Sequence, residues 1–182
     1  VANSEHLAQL LQGVEVWNRW RKENDLITPD LVGLDLHGMN FDQADLHDVE
    51  LSGANLSGDD LTEANLNHAH LNSANLTGAQ MAGNNLMDAE LRGATLIGAN
   101  LNQVDLTHAD LRGANLIGVD FSNANLSYAD FRSANLSYAK LKSANLKGAD
   151  FRDADLSYVD FTDAQLLGTN LNSAKTIGAK FK

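Results

Sequence analysis

Asp48, His68, Asp88 and His108 recur every 20 residues and alternate carboxylate with imidazole, with His47 beside the first of them. That mixture suits metal binding or proton sensing. If 20 residues make one turn of a stacked structure, His68 and His108 stand two strand spacings apart, roughly 10 Å. One ion would not reach both, so no metal and no cofactor is expected. A second set, Arg92, Arg112, Arg132 and Arg152, keeps the same interval, with Glu90, Asp110, Asp130 and Asp150 two residues before them. Each like-charged column repels itself, and setting the two side by side relieves that repulsion. They read either as a solvent-exposed ion-pair network or as a docking face for a protein partner. Tyr138 and Tyr158 share the interval in positions otherwise held by glycine, and form a small aromatic contact patch or pack over the glycine column.

Those residues must be positioned by a repeat. From Leu31 to Phe181 every fifth residue is apolar except Thr176, and all six phenylalanines (41, 121, 131, 151, 161 and 181) lie on this frame as expected core. Two residues before the frame position the residue is Ala in 21 of 30 cases, and 13 of the 14 glycines lie two residues after it. A period of five fits neither a helix at 3.6 nor a plain strand at 2. If the large residue and the small one two before it both point inward, a short extended stretch joins them. The other positions carry turn chemistry, in which Gly tolerates positive φ and Asn or Asp closes local hydrogen bonds. Burying one Leu contributes about 1.5–3 kcal/mol, and ordering five backbones costs roughly 1–2 kcal/mol each. One unit therefore cannot stand alone, and stability must come from stacked coils.

Units such as ANLSG, ADLRG, ANLIG, ADFRS and ANLKG, over residues 30 to 182, resemble the A(D/N)LXX repeats of the pentapeptide-repeat family. The resemblance implies an all-β solenoid, a right-handed quadrilateral β-helix of four units and 20 residues per coil. Between seven and eight coils would make a rod on the order of 35–40 Å at the spacing of paired strands. The stretch LLQGVEVWNRWRKEN resembles the helical segment that precedes the repeats in many bacterial members, notably cyanobacterial ones.

That stretch also reads as a helix from its residues. Ser4 is the expected N-cap, and Leu7, Leu10, Leu11, Val14 and Trp17 share one face. A solenoid needs its open end covered, so residues 1–28 are expected to cap a β-helix of residues 29–182, where the inward Leu34 and Met39 are unusually large. Trp20 lies off the stripe.

Asp59, Asn84 and Thr169 interrupt the inward small positions. An inward Asp needs a partner, a raised pKa or a local bulge. No second inward carboxylate, His or Lys accompanies it, so general acid–base catalysis lacks its groups. The glycines are single, without GxGxxG or Walker spacing. A non-enzyme is expected.

The 182 residues include no cysteine and one proline, and no apolar run approaches the roughly 18 residues of a membrane span. With 24 acids against 13 bases, direct nucleic-acid binding is not expected. Residues 30 to 110 hold 13 acids and one base, and residues 111 to 182 hold 7 acids and 9 bases. A scaffold for an unidentified protein partner fits a rigid rod without chemistry. The family resemblance supplies the alternative: some pentapeptide-repeat proteins are acidic DNA mimics that occupy the DNA-binding saddle of gyrase. The uncovered last coil invites end-to-end pairing with a second copy. A helix starting near Val1, with no signal peptide in view, points to the cytoplasm, or to periplasm or lumen had a leader been removed.

Overall fold

In the structure, a computed structural model that describes residues 2–182, the repeat winds into a right-handed β-helix. Parallel bridges join residues 20 apart, from Asp30 and Glu50 to Asp160 and Lys180. The frame residues fill the axis: Leu31, Leu51, Leu91, Phe121 and Phe151 are fully buried, and smaller residues two before them, such as Val49, Ala89, Val119 and Ala149, are buried with them. Phe131 stacks on Phe151 at 4.7 Å one coil away, while Phe121 meets Phe131 edge-on at 6.1 Å. Phe181, expected in the core, is 44% exposed. It stacks on Phe161 at 4.9 Å.

The composition of a unit follows from where its five N–H groups go. In the unit Asp30–Leu34, the frame residue Leu31 donates up the stack to Glu50 O at 2.9 Å, Gly33 donates up to Ser52 O at 2.9 Å, and Leu34 closes the turn onto Leu31 O at 3.4 Å. One coil up, Glu50 N–H donates down to Pro29 O at 2.9 Å. The remaining donor, the residue after the frame position, is taken by the side chain two before it: Val32 N–H to Asp30 Oδ1 at 3.1 Å, Thr162 N–H to Asp160 Oδ1 at 3.0 Å. Asp and Asn recur there because a short acceptor reaches that otherwise unpaired donor. The turn residue two after the frame is left-handed throughout, with φ from +54° at Glu63 to +85° at Gly38. Glycine adopts this without a Cβ penalty, yet 17 of these positions carry other residues.

The N-terminal segment forms two helices rather than one, α1 (Ser4–Leu10) and α2 (Val14–Glu23). Gly13, the glycine outside the repeat frame, breaks them at φ +99°. The N-cap is Asn3 rather than Ser4, its Oδ1 accepting from Glu5 N at 2.8 Å. The break turns Leu11 outward to 63% exposure, whereas Leu10 and Trp17 are buried on the first coil with Leu7 and Val14 packed beside them.

Both helices also supply the hydrogen bonds that a preceding coil would have made. His6 Nδ1 accepts from Asp30 N–H at 2.9 Å, and Asn3 N–H donates to Asp30 O at 3.0 Å. Asn18 Oδ1 accepts from Asp45 N–H and Trp17 Nε1 donates to Asp45 O, both at 2.8 Å. Helices thus end a β-stack by imitating its donors and acceptors through side chains.

The inward polar residues behave differently from one another. Thr169 Oγ1 donates to Leu146 O at 2.8 Å, but both polar atoms of buried Asn84 lack a partner. Asp59 Oδ1 takes the Gly38 N–H at 2.6 Å, whereas the equivalent donors Gly33 and Gln43 go to the carbonyls of Ser52 and Thr62, and Asp59 Oδ2 is unpartnered. Burial pushes the Asp59 carboxyl up. A raised carboxyl pKa gives stability that is full below the unfolded value and lost as pH rises through the folded one. Asp59→Ala, which matches Ala79 one coil on and frees Gly38 N–H for Ser57 O, is therefore expected to stabilise the rod by about 1–3 kcal/mol at neutral pH. Thermal melts followed by circular dichroism check this, and the gain should shrink toward acidic pH.

Candidate interaction surface

Because 20 residues make one coil, residues at that interval form straight columns, and the left-handed turns place them on the corners of the rod. The turn residues Arg92, Arg112, Arg132 and Arg152 occupy one corner beside the flat column of Glu90, Asp110, Asp130 and Asp150. Three arginines fold back onto the carboxylate two residues before them. Arg112 Nη2 donates to Asp110 Oδ2 at 2.7 Å, Arg132 Nη2 to Asp130 Oδ2 at 2.6 Å and Arg152 Nη2 to Asp150 Oδ2 at 2.6 Å, each joined by the Nε–H in a fork.

Arg92 differs, because Glu90 is occupied. Asn72 Nδ2 donates to Glu90 Oε2 at 2.8 Å and Asn72 Oδ1 accepts from Arg92 N–H at 2.9 Å, so Arg92 Nε reaches up to Asp110 at 2.5 Å. Asp110 therefore receives two guanidinium groups. Its burial works against ionisation, but the hydrogen bonds from Arg112 and Arg92 outweigh it and hold the carboxyl at about 2. The hydrogen bond and charge of Asp110, Asp130 and Asp150 in turn raise Arg112, Arg132 and Arg152. The two columns are thus largely neutralised by each other.

Tyr138 and Tyr158 lie on the next corner, their rings parallel at 5.0 Å and 62% and 54% exposed. The stack ends on Gly178: a Cβ there would come within 2.5 Å of the Tyr158 ring. The opposite corner carries Asp48, His68, Asp88 and His108, all exposed turn residues. His108 stacks on Tyr128 at 5.2 Å, and Tyr128 in turn covers Gly148. Tyr128 is absent from the columns read in the sequence, although its 20-residue interval from His108 was the available signal. Among the described residues no group of three His, Cys, Asp or Glu is placed to hold a metal ion, and no helix is long and apolar enough to cross a membrane.

A family model described as pentapeptide repeats matches residues 85–123, 114–153, 134–172 and 149–182, and one described as a pentapeptide repeat region matches residues 30–101. No curated protein matches the chain. Among solved structures, the chain is similar to a trypsin-treated variant of QnrB1, a plasmid-mediated fluoroquinolone resistance protein. The identity is 21% and the TM-score 0.62, covering 78% of this chain and 76% of that one. It is also similar to a pentapeptide repeat protein of Nostoc PCC 7120 at 36% identity, covering 56% and 83% of the two chains with a TM-score of 0.48. One from the Arabidopsis thaliana thylakoid lumen is 31% identical, covering 68% and 69% with a TM-score of 0.31. At its identity, the QnrB1 likeness speaks for the fold alone.

A depressed carboxyl pKa gives stability that is present above the unfolded value and lost as pH falls through the folded one, here between 3.8 and about 2. In Arg112→Gln, the Asp110 carboxyl followed by NMR is expected to climb from about 2 toward 3.8. The melting temperature at neutral pH is expected to change little, since exposed pairs contribute little.

Proposed function

Because the chain belongs to the pentapeptide-repeat family, we propose that it works as a non-enzymatic scaffold whose corners present fixed side chains to a protein partner. The Tyr138–Tyr158 stack carries this reading. Both tyrosines occupy left-handed positions, at φ +62° and +61°, where a side chain costs roughly 1–2 kcal/mol over glycine. Ring stacking returns about 0.5–1.5 kcal/mol, so the pair adds nothing net to the rod. What it does offer is a rigid, half-exposed aromatic ledge with polar tips, the chemistry of an interface anchor. Lys140, on the face beside Tyr138, and the paired arginines of the neighbouring corner would form a polar rim. The absence of an inward acid–base set, with Asp59 alone there, supports a role without catalysis.

The lopsided charge favours a second reading. No Lys or Arg lies between residues 23 and 91, so acids such as Asp35, Asp42, Asp60 and Glu63 lie in a stretch without lysine or arginine. An acidic rod of that kind would suit the basic groove of a DNA-binding protein such as gyrase, as a mimic of the DNA backbone.

Two experiments separate these readings. A photo-crosslinking amino acid at position 138, compared with one at Gln103 on another corner, is expected to give a discrete protein adduct in cells of the source organism from 138 only. Equal labelling, or none, would reject the tyrosine ledge. In a titration of gyrase-catalysed DNA supercoiling, the scaffold reading expects no effect. Inhibition at low micromolar concentration, relieved by converting Asp35, Asp42, Asp60 and Glu63 to amides, would establish the mimic in its place.

A further inference from the structure

Arg21 of α2 is a fully buried cation whose Nε has no partner. Its Nη1 donates to Ile27 O, and its Nη2 donates to both His47 O and His47 Nε2, all at 2.8 Å. A guanidinium has no acceptor and keeps its proton, so His47 Nε2 must be the acceptor and carries no hydrogen. The proton of the neutral ring then sits on Nδ1 and points to Asp45 Oδ1 at 2.5 Å. On α1 the same requirement holds independently: His6 Nδ1 accepts the Asp30 N–H. Each cap helix is therefore tied to the first coil through an imidazole nitrogen that works only without a proton.

We propose that the two helices form a proton-operated latch, in which neutral His6 and His47 hold the cap on the end of the β-helix and their protonation releases it. A protonated His47 would set a donor and a positive charge against the Arg21 donor, and a protonated His6 would face the Asp30 N–H as a second donor. The carboxylates near His47 temper this without replacing the acceptor. Asp45 holds the Nδ1 side, Asp48 Oδ2 is 4.0 Å from Nε2, and Asp25 acts on Arg21 from the connection. Near His6 the charged neighbours in sequence and contact are Glu5 and Asp30. Because each tie needs a bare ring nitrogen, a proton on that nitrogen competes with the cap, and release is favoured as pH falls. Imidazoles take up protons between about pH 5 and 8, above the range in which carboxylates do. Release uncovers the apolar Leu31, Phe41 and Leu46 of the first coil and leaves the edge groups of Asp30 and Asp45 open to another chain.

Both tryptophans of the chain, Trp17 and Trp20, lie on α2, so intrinsic fluorescence reports the cap directly. As pH is lowered from about 8 to about 5, within the imidazole range, wild-type emission is expected to shift cooperatively to the red while the circular dichroism of the rod is retained. In His6→Asn with His47→Gln, amide oxygens stand in for Nδ1 and Nε2 as acceptors that do not titrate, and emission is expected to stay in its buried position. Unchanged wild-type emission, or the same shift in the double variant, overturns the latch. If the double variant lacks the wild-type spectrum at the alkaline end, the single variants decide. Each is expected to move the transition to lower pH, and a transition unmoved in both overturns the proposal.

Discussion

The structure depends on a single constraint: every backbone donor of a five-residue unit must find an acceptor when units stack at 20-residue intervals. Three of the five bonds run to neighbouring coils, one closes the turn and one goes to the Asp or Asn side chain. No unit can satisfy itself, which couples neighbouring coils along the rod. The same accounting explains the left-handed residue in each turn. It brings the chain round a right-angled corner while keeping its own N–H aimed along the axis, as Gly33 does toward Ser52.

The ends of the stack expose what that constraint demands. At the N-terminal end, Asn3, His6, Trp17 and Asn18 take over donor and acceptor roles that a preceding coil would have filled. Side chains can do so because their polar atoms reach the edge at hydrogen-bonding distance while Leu10 and Trp17 cover the apolar axis. The solution brings ionisable groups together under the cap, the buried Arg21 against the partly buried His47. The regular coils are closed by backbone bonds, whereas the first coil is closed in part by two imidazole acceptors. Inside the rod, Asp59 and Asn84 violate the accounting locally, and each leaves polar atoms unpaired.

Outside the rod, the regularity that builds the core dictates the surface. Any side chain on a turn has its counterpart one coil spacing away, so a residue type that recurs at 20-residue intervals meets its like. Aromatic rings gain from this by stacking, as Tyr138 and Tyr158 do, whereas charges must find relief sideways. The arginine corner finds it in the adjacent carboxylate column, through forks that join Arg112 to Asp110 and Arg132 to Asp130. On the tyrosine corner the rings of Tyr138 and Tyr158 stack on each other and stay half exposed, and the proposed contact surface rests on that contrast.

Much of this was legible in the residues alone. The unbroken period of five and the alternation of Leu or Phe with Ala determined the stacked units and their core, and the family resemblance implied the 20-residue coil that sets which residues share a corner, because a solenoid makes spatial neighbours out of sequence periodicity. Tyr128 could have been read from the same interval as His108 and was not. The segment without periodicity was less transparent. That Gly13 would split the helix, that Asn3 rather than Ser4 would cap it, and that Leu11 would face outward depend on how the two helices meet the first coil. The position of Arg21, the acceptor state of His6 and His47 and the detour of Gly38 N–H onto Asp59 belong likewise to tertiary structure. Each is a single contact between residues without a repeat to relate them, and only the folded geometry brings such residues within hydrogen-bonding distance.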